Sequence, residues 1–210
     1  MKIDAVIFDV DGTLWDATDV VAEGWTRAAK EAGIKNVSLT GEILKQQFGK
    51  QPDIIMKNLF PDAGQDTRDK ISDLTCIYED KVLMEYEGES LLYPGVTEVF
   101  EELSKHCKVC VVSNCQTGYI EVFLKKNNLE KYVTDTECFG DTLKSKGENI
   151  KMVMERNHIQ NAIYVGDTPG DFEATKVAGI PFVFVTYGFD KVEGAWKEID
   201  DIREVLEIVK

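Results

Sequence analysis

The chain has 210 residues, 43% of them hydrophobic and 30% charged, which suits a globular protein of one domain with an insertion or of two small domains. Its net charge of −14 argues against nucleic acid or an anionic membrane as a partner, because either would need a basic surface. The apolar stretches are too short to cross a bilayer and the N-terminus lacks a signal-peptide pattern, so we expect a cytoplasmic protein.

Four short, continuously apolar runs predict strands that are buried on both faces of a parallel sheet. These runs are residues 5–8, 109–112, 162–165 and 181–185. Helical periodicity is found between or after them at residues 96–103, 146–157, 171–178 and 202–209. The alternation predicts an α/β fold whose core is a doubly wound, Rossmann-like parallel sheet.

Residues 17–91 break this alternation, because their apolar positions recur at helical spacing and include no convincing strand. We therefore predict an α/β catalytic core at residues 1–16 and 92–210, with an inserted α-helical cap at residues 17–91. Within the cap, Trp25 falls on an apolar stripe and is interpreted as a core residue. The acid-rich stretch at residues 79–89 is interpreted as a solvated helix face.

The five cysteines are an odd number and lack the spacing of a zinc site. Cys107 and Cys110 fit a Cys-x-x-Cys pattern, but this pattern runs into the predicted strand at residues 109–112. A buried strand start is the better interpretation, and we expect reduced thiols throughout.

Two aspartates, Asp9 and Asp11, directly follow the first predicted strand, in the run DVDGTL at residues 9–14. Carboxylates beside a buried strand are costly unless something pairs them. At the carboxyl end of a parallel strand they also lie where open α/β sheets bind ligands. Taken alone, the same residues suit an ordinary turn.

Polar residues also follow two later strands. Ser113 and Asn114 follow residues 109–112 and could hold a phosphoryl oxygen, although both types also favour helix caps for local reasons. Asp167 and Asp171 follow residues 162–165, and Asp171 also suits a helix cap.

The combination of these groups indicates phosphate chemistry. Acidic groups at the ends of two strands can chelate a hard divalent cation, and magnesium prefers a few carboxylates together with a substrate phosphate. A hydroxyl group and a lysine, Lys146, can then neutralise the remaining phosphoryl oxygens.

The four blocks resemble, in order, the four motifs of the haloacid dehalogenase-like superfamily. These are Asp-x-Asp-Gly-Thr-Leu at residues 9–14, Ser-Asn at 113–114, Lys at 146 and Gly-Asp-x-x-x-Asp at 166–171. The chain is similar to the phosphoglycolate phosphatase and β-phosphoglucomutase branch, whose helical cap lies between the first two motifs. The resemblance spans essentially the whole chain and is weakest in the cap.

The resemblance implies a magnesium-dependent phosphatase that acts on a small phosphorylated metabolite. Asp9 would be the nucleophile that forms an aspartyl-phosphate. Asp11 would protonate the leaving oxygen, then take a proton from water. Mg²⁺ would be held by Asp9, the backbone carbonyl of Asp11, and Asp167, with Asp171 as a further ligand or in support.

The remaining roles implied by the resemblance concern the phosphoryl group. Ser113 and Lys146 would grip its oxygens as catalytic residues, with Thr13 and Asn114 as substrate-binding neighbours. Lys146 is preferred to Lys144 because it directly begins the apolar-periodic helix, as in the family.

Other activities of the same superfamily remain open to different degrees. A dehalogenase needs no magnesium and lacks the second aspartate, so Asp11 and the pair Asp167 and Asp171 argue against it. A phosphonate hydrolase needs a specifically placed cap lysine, for which there is no clear candidate. A non-catalytic binding protein would not need the intact motifs. A phosphomutase keeps every catalytic residue, so it is the alternative to a phosphatase.

Substrate selection in this family falls to a cap loop, and the best candidate here is residues 48–51. Lys50 is the predicted substrate-binding residue of that loop, because a second negative charge on the substrate would need a further cation; the alternative is an ordinary solvated lysine. The sequence carries no signal for an oligomeric state.

Overall fold

The computed structural model describes residues 2–210 and contains a six-stranded, entirely parallel sheet. Its strands are β1 (Ala5–Phe8), β2 (Lys108–Ser113), β3 (Asp135–Cys138), β4 (Ala162–Gly166), β5 (Phe182–Val185) and β6 (Lys197–Ile199). They lie in the order β3-β2-β1-β4-β5-β6, so that the order reverses between β1 and β4. The predicted α/β class and the four predicted strands are confirmed.

The two strands that sequence analysis missed are the edges of the sheet. Strand β3 reads DTEC and β6 reads KEI, so neither has an apolar run. An edge strand need not be buried on both faces, which removes the signal that marks the inner strands. In β3, the carboxylates of Asp135 and Glu137 instead pair with Arg156, at 2.5 Å and 2.6 Å respectively.

Ten α-helices and two short 3₁₀ helices occur in the described residues. The α-helices are α1 (Thr18–Glu31), α2 (Gly41–Lys45), α3 (Pro52–Leu59), α4 (Gln65–Glu85), α5 (Val96–Leu103), α6 (Tyr119–Asn127), α7 (Phe139–Thr142), α8 (Lys146–Arg156), α9 (Pro169–Ala178) and α10 (Val205–Val209). The 3₁₀ helices are Glu130–Tyr132 and Ile202–Glu204. The C-terminal helix predicted at residues 202–209 therefore begins as a 3₁₀ turn, and α6 was not predicted.

Successive residues of β1 point to opposite faces of the sheet, as the strand pleat requires. Val6 and Phe8 belong to one buried cluster, whereas Ala5 and Ile7 belong to another that includes Ile150 of α8. Helices therefore cover both faces, and the continuous apolar sequence of β1 follows from this double burial.

Helices α1 to α4 lie between β1 and α5, where a helical cap was predicted. Two backbone hydrogen bonds join the entering and leaving segments, from Asp16 to Leu91 (2.9 Å) and from Tyr93 to Leu14 (3.0 Å). The domain boundaries at residues 16 and 92 stay a prediction, which this pairing supports. Within the described residues, no helix is long and apolar enough to cross a membrane, and all five cysteines are free.

Candidate active site

The reversal of strand order brings the ends of β1 and β4 together. Phe8 and Val165 are paired across the two strands, and the amide of Asp9 donates to the carbonyl of Val165 at 2.9 Å. Asp9, the residue after Phe8, and Asp167, two residues after Val165, are both buried. A crevice at the carboxyl ends of the strands, at such a switch point, is where open α/β sheets bind ligands.

The position of Asp167 depends on glycine in the β1 loop. Gly12 has a φ of +77°, and a Cβ atom there would lie 2.1 Å from Asp167 Oδ2. Both Asp167 oxygens accept hydrogen bonds, from Thr13 Oγ1 at 3.3 Å and from the Phe189 amide at 2.8 Å. Any larger side chain at Gly12 would therefore displace a carboxylate of the site.

Lys146 enters the site at the first position of α8. Ser145 caps this helix and forms a capping box with Glu148, which fixes where the helix begins. The Lys146 ammonium lies 3.0 Å from Asp9 Oδ1 and 2.5 Å from Asp171 Oδ1, and the residue is 4% exposed. Burial alone would lower its pKa, but the two carboxylates raise the pKa of Lys146 above its ordinary value.

Asp171 accepts hydrogen bonds from two backbone amides and a hydroxyl group, which fix its position in the site. Its Oδ2 accepts from the amides of Asp167 (3.2 Å) and Thr168 (3.0 Å) and from Thr168 Oγ1 (2.7 Å). Its Oδ1 faces Lys146. Thr168, not Asp171, is the N-cap of α9, and Asp171 is the third residue of its capping box. Because Oδ2 accepts three hydrogen bonds and Oδ1 pairs with Lys146, Asp171 suits a supporting role better than direct ligation.

The carboxylates of Asp9 and Asp167, with Asp171 beside them, fit a divalent cation. One oxygen of each lies within 4.8 Å of the others, and all three residues are buried. Asp9 Oδ1 contacts Lys146 but accepts no aligned hydrogen bond from the described residues. Burial and the Asp171 charge raise the pKa of Asp9 to about 6, and burial raises the pKa of Asp167 well above its usual range. A bound cation would offset this cost, and a hard cation prefers such oxygen ligands.

Asp11 is held by two donors that sequence analysis did not identify. Its Oδ1 accepts from the Tyr119 hydroxyl at 2.6 Å and from Trp15 Nε1 at 3.0 Å. Burial raises the pKa of Asp11 to about 7, and the charge of Asp9 adds to this effect. A carboxyl group with this pKa can both donate and accept a proton near neutral pH.

The cap loop contacts the core next to Ser113, which is buried at the end of β2. Asn114 Nδ2 donates to the carbonyl of Gly49 at 2.8 Å. Gly49 has a φ of +85°, and a Cβ atom there would lie 3.0 Å from Thr168 Cγ2. These contacts place the loop of residues 48–51 over the site.

The two lysines that the sequence left uncertain lie in different surroundings from Lys146. Lys144 is exposed, and its Nζ lies 3.3 Å from Met152 Sδ. Lys50 borders the cavity under the cap, but its Nζ donates to the Gln46 carbonyl and to Gln47 Oε1. The substrate-binding role of Lys50 stays a prediction.

One sequence interpretation of the cap is wrong. Glu79 was expected on a solvated helix face but is 2% exposed and lines the same cavity. It lies on the same helical stripe as Ile71, Thr75 and Val82, three other buried residues of α4, so its burial could have been predicted from the sequence. Trp25 is buried as expected, and it also borders the cavity.

Comparison with known proteins agrees with this geometry. A family model described as haloacid dehalogenase-like hydrolase matches residues 6–185. A phosphoglycolate phosphatase of Agrobacterium fabrum is 30% identical over 195 residues, covering 89% of this chain and 82% of the relative. A phosphoglycolate phosphatase of Vibrio parahaemolyticus is 26% identical over 222 residues, covering 99% of this chain and 96% of the relative.

Solved structures share the fold. A crystal structure described as a predicted phosphoglycolate phosphatase from Haemophilus somnus matches with a TM-score of 0.85 and 20% identity, covering 100% of this chain and 99% of that one. The four motifs, the sheet order and the matched family model agree along most of the chain. The chain therefore belongs to the haloacid dehalogenase-like hydrolase family, in its phosphoglycolate phosphatase-like branch, and is a phosphatase.

Proposed function

We propose that this phosphatase is magnesium-dependent and hydrolyses small phosphate monoesters through an aspartyl-phosphate on Asp9. The observation that carries the proposal is the buried Asp9 carboxylate, which faces Lys146 at 3.0 Å and has an oxygen without an aligned donor. It lies beside Asp167 at the point where the strand order reverses. A nucleophile needs an ionised oxygen held in a fixed position, and Lys146 provides the neighbouring positive charge.

The first step transfers the phosphoryl group to the protein. An oxygen of Asp9 attacks phosphorus, the bond to the ester oxygen breaks, and Asp11 gives its proton to the leaving alcohol. Lys146 and Ser113 stabilise charge on the non-bridging oxygens, with Thr13 and Asn114 as neighbours. Mg²⁺, held by Asp9, Asp167 and the Asp11 carbonyl, would neutralise further phosphoryl charge.

The second step returns the protein to its starting state. Asp11, now ionised, takes a proton from a water molecule, whose oxygen attacks phosphorus. The bond between Asp9 and phosphorus breaks, which releases inorganic phosphate. Tyr119 and Trp15 keep the Asp11 carboxyl group in place for both transfers.

The space beneath the cap favours a phosphatase over a phosphomutase. The cavity that Asp11 and Ser113 border has a volume of about 50 Å³, comparable to a few water molecules. A hexose phosphate, which a mutase must hold beside Asp9, would need this space to be enlarged, whereas a water molecule would not. We therefore expect water to accept the phosphoryl group.

The proposal is tested by release of inorganic phosphate from small phosphate monoesters. Excess chelator should abolish the release and Mg²⁺ should restore it, whereas Ca²⁺ should restore it poorly because it tolerates higher coordination. Asp9→Asn should retain less than roughly a tenth of the wild-type turnover, which corresponds to an activation free energy raised by at least about 1.4 kcal/mol. Asp53→Asn, an exposed aspartate of the cap, is the control and should retain it.

Two results would contradict the proposal. Undiminished turnover in excess chelator would exclude the metal-dependent mechanism. Conversion of a hexose 1-phosphate into its 6-phosphate without free phosphate would identify a mutase.

A further inference from the structure

The cavity between cap and core has an acid at its cap end. Glu79, on α4, is buried among the cavity-lining residues, while Asp11 and Ser113 lie at the core end. A phosphate that reacts at Asp9 therefore directs its leaving group towards the cap. With a volume of about 50 Å³, the cavity admits only a small leaving group.

Only one oxygen of Glu79 is used by the protein. Oε2 accepts from Trp25 Nε1 at 3.1 Å and from Gln116 Nε2 at 2.8 Å, which fixes the carboxyl group in place. Oε1 accepts no hydrogen bond from any described residue. Although Glu79 as a residue is only 2% exposed, its Oε1 keeps some accessible surface, so this oxygen faces the cavity and is available to a ligand.

A second acceptor in the same cavity also lacks a donor. Asn114 Oδ1 is buried without a hydrogen-bond partner among the described residues. The side chain cannot exchange its two ends cheaply, because Nδ2 donates to the Gly49 carbonyl at 2.8 Å. Two acceptors from different elements thus call for hydrogen-bond donors on the ligand.

Positive charge is scarce in this cavity. Of the described residues that line it, Lys50 alone is basic, and its ammonium is exposed and engaged by the Gln46 carbonyl. Burial raises the pKa of Glu79 to about 8, and the charge of Asp11 adds to this effect. Without a ligand, Glu79 therefore stays protonated and neutral near neutral pH. A cationic group on the substrate can compensate the charge of the ionised carboxylate and so replace the proton.

We propose that Glu79 is a specificity-determining residue that selects small phosphate monoesters whose leaving group carries an amine. The ammonium group donates to Glu79 Oε1, which supplies the missing donor and the missing charge together. A leaving group of the same size with a carboxylate brings neither the hydrogen-bond donor nor the positive charge that would ionise Glu79, so it is disfavoured relative to the amine. The selectivity rests on the proposed phosphatase reaction and separates this chain from relatives named for phosphoglycolate.

Three substrates with two-carbon leaving groups test the selectivity: O-phosphoethanolamine, ethyl phosphate and 2-phosphoglycolate. The wild type should show a kcat/KM for O-phosphoethanolamine at least about tenfold above that for 2-phosphoglycolate, with ethyl phosphate between them. In Glu79→Gln the ratio of the two charged substrates should fall by at least about tenfold. The control is Glu85→Gln, which removes one exposed charge from the same helix and should keep the ratio.

The outcomes separate this proposal from the reaction on which it rests. If the wild type cleaves ethyl phosphate but prefers 2-phosphoglycolate, and Lys50→Ala removes that preference, Lys50 sets the specificity and the role of Glu79 is overturned. An unchanged ratio in Glu79→Gln overturns it as well, because a purely structural role would affect all three substrates equally. No turnover of any of the three by the wild type overturns both proposals. The order of the three kcat/KM values for the wild type tests the proposal even if Glu79→Gln does not fold.

Discussion

Replacement of Lys146 by Met tests whether this lysine balances the buried carboxylates. The ammonium lies 3.0 Å from Asp9 and 2.5 Å from Asp171, and all three side chains are 3% exposed or less. Methionine keeps most of the apolar stem, so the main loss is the charge. Breaking a buried ion pair by removing one partner costs about 3–5 kcal/mol, because the other charge stays buried.

The measurement is thermal unfolding of the metal-free protein. A loss of that size corresponds to a fall in Tm of about 6–20 °C for a chain of this length. The pKa of Asp9 is already raised to about 6, and without Lys146 it should rise further. The carboxylates then take up protons more readily, so the deficit of Lys146→Met should shrink between about pH 7.5 and about pH 5.5.

The matched control is Lys144→Met, two residues earlier and exposed. It should change stability by no more than about 0.5 kcal/mol, as surface substitutions do, and leave turnover intact. A loss below about 1 kcal/mol in Lys146→Met, or equal losses in both variants, would refute the argument, because the full cost of an uncompensated buried charge would be missing.

Three further outcomes follow from the site. Tyr119→Phe removes a hydrogen bond that lowers the pKa of Asp11, so the alkaline limb of the plot of kcat/KM against pH should move to higher pH. An unmoved limb would contradict the role of Asp11 as the acid. The wild type should lose stability relative to Glu79→Gln as the pH rises from about 4.5 to about 8, because the raised pKa of Glu79 favours the protonated folded state. Parallel plots of stability against pH for the two proteins would show that Glu79 does not titrate in this range. Mg²⁺ at a hundredfold excess over its Kd should raise the Tm by about 5–11 °C, and by much less in Asp167→Asn; equal increases would place the ion elsewhere.

Much of the core and of its catalytic edge could be predicted from local sequence. Strands β1, β2, β4 and β5 are buried on both faces, so each reads as an apolar run that ends where the polar loop begins. Because parallel strands end at a common edge, Asp9, Ser113 and Asp167 could be expected to lie together before any distance was known.

Other features depended on contacts that local sequence does not encode. Strands β3 and β6 are held by pairing at the sheet edges, and neither has the continuous burial that would give it an apolar pattern. The preference for Lys146 over Lys144 was a motif argument, and only the packing of α8 against the sheet buries Lys146 beside Asp9 and exposes Lys144.

The position of Glu79, at the proposed substrate end of the site, depends on the tertiary structure. Glu79 stands in an acid-rich stretch that also suits a solvated helix, and its burial requires α4 to pack against α1 and the loop after β2. Its partners, Trp25 and Gln116, are 54 and 37 residues away in the sequence. The sequence by itself determined the position of the proposed acidic and hydroxyl groups, because Asp9, Ser113 and Asp167 lie at or just after the ends of strands whose burial is evident in the local sequence. Only the tertiary structure decided what those groups face, since contacts between the predicted cap and the core join side chains from segments far apart in the chain.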